Sequence, residues 1–179
     1  MQIELAMAKK HLAVKGWPVR EETPQTVDRA EVSNRRLMMR TEIDDLMKVG
    51  FVQGDIVGFS IRLCRCALAL AGTAAQFCTA PEYAHFSEGA IDLLQGAQHK
   101  LDRALLTQDW HAVRVALAQI ETVIFGISAN FGMPYGEVLA IIDAAYSAGV
   151  EVPREAVAVA LRRAGLEVPN EASEAANDR

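Results

Sequence analysis

The chain has 179 residues, 51% of them apolar and 23% charged, which is about one domain's worth of sequence with enough apolar side chains to build a core. Lys and Arg number 18 against 23 Asp and Glu, a net charge of -5, so there is no broad basic surface for phosphate backbones and nucleic acid is not an expected partner. Aromatic residues make up only 6% while Ala, Leu, Arg, Glu and Met are plentiful, a mixture that suits helices and excludes most sandwiches and barrels. The expected class is all-α.

The helices read off in chain order from their caps and breakers. A first helix is predicted over residues 2–14, followed by a polar, proline-bounded loop from Gly16-Trp17-Pro18 to Pro24. Asp28 opens a second helix, with Glu31 placed to complete a capping box and Gly50 to end it. Asp55 opens a third, apolar on most faces and running to about Cys78, which makes it the predicted buried centre. A fourth is expected from about Glu82 to Leu106, and Asp109 opens a fifth that stops near Gly132-Met133-Pro134. Two short helices over about 135–148 and 153–164 have Gly149 and Gly165 just past their ends. The expected domain spans 1–168, with a disordered tail over 169–179.

Gly72-x-x-Ala75-x-Phe77 recurs 54 residues later as Gly126-x-x-Ala129-x-Phe131, and Asp55 and Asp109 have the same separation. This spacing suggests a bundle of two α-hairpins, 28–78 and 82–132, as an internal duplication would produce.

Cys64, Cys66 and Cys78 are odd in number and lie in one apolar stretch, which is no disulfide framework; a reducing cytoplasm and buried small side chains are expected. Cys64-x-Cys66 has no second pair at zinc spacing. The segment Met1 to Leu12 has no long apolar core, so no signal peptide is expected, and the run Cys66 to Ala75 is too short to cross a bilayer. No membrane association is expected.

In a helix, positions 38, 42, 45 and 49 share a face, which places Glu42 and Asp45 between Met38 and Val49 at the edge of the stripe Val32, Met39, Ile43, Leu46. Carboxylates there need a partner. A divalent cation is one, since an E-x-x-D pair supplies two hard oxygens, but a Mg²⁺ site needs further acids from a facing helix. Arg62 and Arg65 are the other: they lie three apart inside the third helix and need anions in turn. A short joint over 50–54 brings the two pairs together, and two guanidinium groups there would repel a cation, so ion pairing is the preferred reading. Glu121, in the apolar fifth helix, is a further acid that could point inward, with Asp92, Asp102 and Asp143 on nearby elements and each read first as a surface charge, and the four histidines show no metal-binding spacing.

The order of parts resembles the all-α nucleotide pyrophosphohydrolases, the MazG and phosphoribosyl-ATP pyrophosphohydrolase-like group, over roughly residues 14–150. Gly16-Trp17-Pro18-Val19-Arg20 and the Pro24 loop lead to Thr41-Glu42-Ile43-Asp44-Asp45-Leu46, which looks like the group's E-E-x-x-E-L helix with Thr41 in place of the first acid. Ala116 to Gln119 and Gly126 to Pro134 look like its second metal helix and turn, with Gln119 where an Asp is expected.

The resemblance implies hydrolysis of a nucleoside triphosphate or related pyrophosphate to the monophosphate, with Mg²⁺ or Mn²⁺ as cofactor, a nucleotide as ligand and a homodimer as the assembly. It implies catalytic and metal-binding roles for Glu42 and Asp45, a third metal acid in Glu121, phosphate contacts from Arg62 and Arg65, and stacking of the base on Trp17. Half of the group's acidic cage is absent, so the alternative expectation is a catalytically silent helical module for dimerisation or protein interaction.

Overall fold

The computed structural model describes residues 2–79 and 90–169. Among them the protein is all-α, with seven α-helices: α1 (Gln2–Val14), α2 (Arg29–Met47), α3 (Ile56–Phe77), α4 (Ala90–Thr107), α5 (Trp110–Asn130), α6 (Tyr135–Ala148) and α7 (Arg154–Arg163). The segment predicted to begin the fourth helix, from Glu82, and the tail over 170–179 lie outside the described residues.

Local chemistry sets most of the boundaries. Asp55 and Asp109 each accept a hydrogen bond at their side chain from the amide three residues on, Gly58 at 2.9 Å and Ala112 at 3.1 Å, which satisfies a free donor of the first turn. Gly149 and Gly165 close α6 and α7 at φ +69° and +85°, a left-handed backbone that glycine adopts without a Cβ clash.

Two expectations at the ends of α2 are corrected. Asp28 does cap, accepting from the Ala30 amide at 2.8 Å, but Glu31 does not turn back to complete a capping box. Its carboxylate instead receives Arg20 Nη2 at 2.9 Å and Gln76 Nε2 at 2.8 Å, because charge-assisted bonds from a guanidinium are stronger than a return to one backbone amide. At the other end, Gly50 is no helix stop. It lies inside a π-helical turn, Lys48–Val52, and a Cβ there would stand 2.2 Å from the Phe59 ring. The glycine is required by the close approach of α3.

α3 is the centre of the fold, as its apolar faces predict. Nearly all of it is buried, and it packs against α1, α2, α5, α6 and α7. The α2–α3 hairpin stands beside the α4–α5 hairpin through contacts of α2 with α4 and of α3 with α5. Leu63, Leu70 and Phe77 from α3 meet Leu46 from α2, Leu117 and Ile120 from α5, and Leu161 from α7 in one apolar cluster. By length and composition α3 and α5 could each cross a membrane, but 83% of the qualifying window of α3 is buried inside the fold. Its apolar surface is consumed by neighbouring helices.

The loop after α1 is tied to the end of α3. The Arg20 amide donates to the Ala75 carbonyl at 3.1 Å, its guanidinium to the Gln76 carbonyl at 2.6 Å, and the Thr23 hydroxyl to the Cys78 carbonyl at 2.9 Å. Within this loop the Trp17 amide donates to the Leu12 carbonyl at 2.9 Å and its ring lies beside Arg35 of α2.

Candidate functional site

Glu42, Asp45, Arg62 and Arg65 meet across the α2–α3 contact. Arg65 donates to Glu42 Oε1 from Nε at 3.1 Å and from Nη2 at 2.6 Å, and Arg62 Nη1 reaches Asp45 Oδ2 at 2.8 Å and Glu42 Oε2 at 3.6 Å. Glu42 is buried while Asp45 is half-buried, so the carboxylate nearer the core is the one that receives two charge-assisted hydrogen bonds, both at Oε1, which offset its desolvation. Burial opposes the charge on Arg65, yet the Glu42 carboxylate more than offsets it and holds the guanidinium above its ordinary value. The charge of each acid is thus met by a cation of the same hairpin.

These residues do not fit the Mg²⁺ cage that the resemblance implies. Glu121 lies on α5, where Glu4 is its charged neighbour and burial raises its carboxyl above the ordinary value. It does not join Glu42 and Asp45: among the described residues no three His, Cys, Asp or Glu side chains are gathered where a metal ion could be held. The place where acids would have to face Glu42 and Asp45 is occupied by two guanidinium groups instead.

Beside the cluster a half-open cavity of about 360 Å³ is lined by α1, the loop after it, α2, α3 and the end of α6. Glu42 and Arg65 form part of one wall, Trp17 another, and Leu12, Met38 and Leu68 supply apolar surface. Its volume falls at the lower end of small-molecule sites. Arg62, Asp45 and Glu121 are not among its walls. His11 borders it too, with Nε2 2.9 Å from Asp143 Oδ1 and its ring edge-on to Tyr146 at 5.5 Å.

The residue that sequence reasoning missed is Arg35. It is only 2% exposed, sits on the cavity wall, and donates Nε at 2.7 Å and also Nη2 to the same Gln76 side-chain oxygen. Its guanidinium lies 5.2 Å from the centre of the Trp17 ring. Burial lowers it to about 10, with the Glu31 charge acting the other way. The signal was present: Val32, Arg35, Met39, Glu42 and Leu46 alternate by three and four, which puts an arginine on the buried stripe of α2.

Cys64 and Cys66 are buried, and desolvation pushes both thiols up from their ordinary range, so neither forms a thiolate nucleophile readily.

Comparison of the chain with family models, with curated proteins and with solved structures gives no significant match.

Proposed function

We propose that this protein is a helical binding module that has the layout of a nucleotide pyrophosphohydrolase without its hydrolytic metal centre, and that it holds a small ligand in the cavity between α1, α2, α3 and α6. The single observation that carries this reading is the neutralisation of Glu42 and Asp45 by Arg65 and Arg62, at 2.6 and 2.8 Å. A carboxylate pair already compensated by two guanidinium groups gains little from a divalent cation, which those groups repel. Trp17, Arg65 and Glu42, assigned to substrate or metal by the resemblance, serve in this reading as walls of a binding site, while Arg62 and Asp45 brace the hairpin behind it.

The hydrolase reading has one observation in its favour. Glu42 Oε2 is buried and accepts no hydrogen bond, the nearest cation being Arg62 at 3.6 Å, so one carboxylate oxygen keeps free lone pairs. The two readings differ in a direct assay. With a panel of ribo- and deoxyribonucleoside triphosphates and Mg²⁺ or Mn²⁺, the binding module releases no pyrophosphate above a Glu42→Ala control. Turnover of any member above that control overturns the proposal, as does tight Mn²⁺ binding by calorimetry that Glu42→Gln abolishes. The resemblance also suggests a homodimer, which light scattering at high concentration would contradict by finding a monomer.

A further inference from the structure

We infer that Arg35 is the anion-recognising group of the cavity, and that the ligand is a small organic anion: one phosphate or carboxylate head on a planar or apolar body. This deepens the binding-module reading by naming its ligand chemistry.

Arg35 is almost wholly buried, yet among the described residues no carboxylate lies within 4.0 Å of it; its acceptor is the neutral Gln76 amide. The nearest acid in the electrostatic surroundings, Glu31, is already bound by Arg20 and by the other end of the same Gln76 amide. Two guanidinium groups therefore share one carboxylate, and Arg20 holds it. A buried cation left with neutral acceptors is expensive, and an anion entering the cavity would offset that cost.

One nitrogen of the guanidinium, Nη1, has no hydrogen-bond partner among the described residues. Nε and Nη2 are committed to Gln76, while Nη1 lies over Gly72, where a Cβ would stand only 2.9 Å away. Glycine at this position of a buried helix costs helix stability relative to alanine. Here it makes the room that Nη1 occupies, and both Arg35 and Gly72 line the cavity.

The remaining walls select the rest of the ligand. Trp17 covers the guanidinium and is itself approached by Lys15 at 5.8 Å, which adds a second positive charge near the mouth. Leu12, Met38 and Leu68 offer apolar contact, and the rim carries Val14, 82% exposed, and Val150, 58% exposed. Arg35, Lys15 and Arg65 outnumber Glu42, the one acid in the lining and already bound by Arg65, so cationic groups beside apolar walls match an amphiphilic anion better than a bare inorganic one.

The test uses the full chain with Trp110→Phe, so that Trp17 is the sole tryptophan. Its fluorescence is followed during titration with phenyl phosphate, benzoate, inorganic phosphate and uncharged benzyl alcohol. The expected result is a saturable response to phenyl phosphate or benzoate, the tighter of the two identifying the head group. Benzyl alcohol and inorganic phosphate bind at least about tenfold more weakly, the first lacking the charge and the second the body. Arg35→Met weakens the preferred anion by at least about tenfold. Gly72→Ala keeps the charge but displaces Nη1 and also weakens it, and this arm decides if Arg35→Met fails to fold.

Equal binding of benzyl alcohol, tighter binding of inorganic phosphate, an unchanged affinity in Arg35→Met (or in Gly72→Ala where Arg35→Met does not fold), or no saturable response overturns the inference. Pyrophosphate release in the nucleotide assay would sink the binding-module reading while leaving Arg35 as the anion site. Loss of the Arg35 dependence would sink the present inference alone.

Discussion

Glu42 and Arg65 illustrate what a paired charge contributes and what it costs when its partner is removed. Glu42 is buried, so truncating Arg65 leaves a carboxylate with only the longer Arg62 contact. Arg65→Met is expected to destabilise the protein by about 2 kcal/mol, below the range for fully buried pairs because Arg65 is about a third exposed. Adding Glu42→Leu should restore most of the loss, since a hydrophobic pair removes the desolvation cost on both sides. Urea denaturation of both single variants and the double variant measures the coupling; additive losses would show that the pair does not interact.

Glu31 gives the pH dependence. The Arg20 guanidinium holds its carboxyl below the ordinary value of 4.5, despite the opposing effect of burial. A depressed folded value stabilises the protein above pH 4.5, and that contribution fades as pH falls through the folded value. Glu31→Gln should lower stability at neutral pH and flatten the acid limb of a stability-against-pH curve, a difference that thermal melts from pH 7 to pH 3 would reveal. These ion pairs differ in how far they could be read beforehand. Arg62 and Arg65 advertise themselves by their spacing within an apolar helix, whereas Arg20 with Glu31 depends on a loop whose path the sequence leaves open.

At the scale of elements, two glycines in helical segments make opposite predictions from the same substitution. Gly50→Ala puts a methyl group into the Phe59 ring, which must move in a packed core, and should cost about 1–3 kcal/mol. Gly126→Ala meets nothing within 4 Å on an exposed turn of α5 and should stabilise by about 0.5–1 kcal/mol through helix propensity alone. Chemical denaturation of the pair would contradict the account if the two shifts had the same sign. The distinction also explains what was legible in the sequence. The starts of α3 and α5 were readable because Asp55 and Asp109 act within their own first turns, and the ends of α6 and α7 because glycine fixes the backbone locally. Gly50 was read as a stop because its real constraint, the ring of Phe59, arrives from another helix. The 54-residue similarity is likewise mixed: the aspartates repeat their capping role, but Phe77 is fully buried where Phe131 is 50% exposed, and Gly72 admits Arg35 where Gly126 faces open space.

At the scale of the whole molecule, the two hairpins have one core between them. Phe77 at the end of α3 packs on Trp110 at the start of α5, with ring centres 5.4 Å apart, and Arg36 on α2 reaches Asp102 on α4 at 3.3 Å. Val27, just before α2, exchanges two backbone hydrogen bonds of 2.9 Å with the Gln108 side chain in the α4–α5 turn. Neither hairpin therefore completes its apolar surface without the other, and the described bundle should unfold as one cooperative unit. The two tryptophans provide separate reporters, since Trp17 covers the cavity and Trp110 sits in the contact between hairpins. With Trp17→Phe and Trp110→Phe variants, the denaturant midpoints followed by each remaining tryptophan should coincide with the loss of helical circular dichroism. Leu117→Ala, at a fully buried position of α5, should move all three signals together by about 2–5 kcal/mol. A Trp17 transition that stays in place while the Trp110 transition shifts would mean that the α2–α3 hairpin holds its fold alone. The cavity would then belong to that hairpin and its flanking helices rather than to the bundle as a whole.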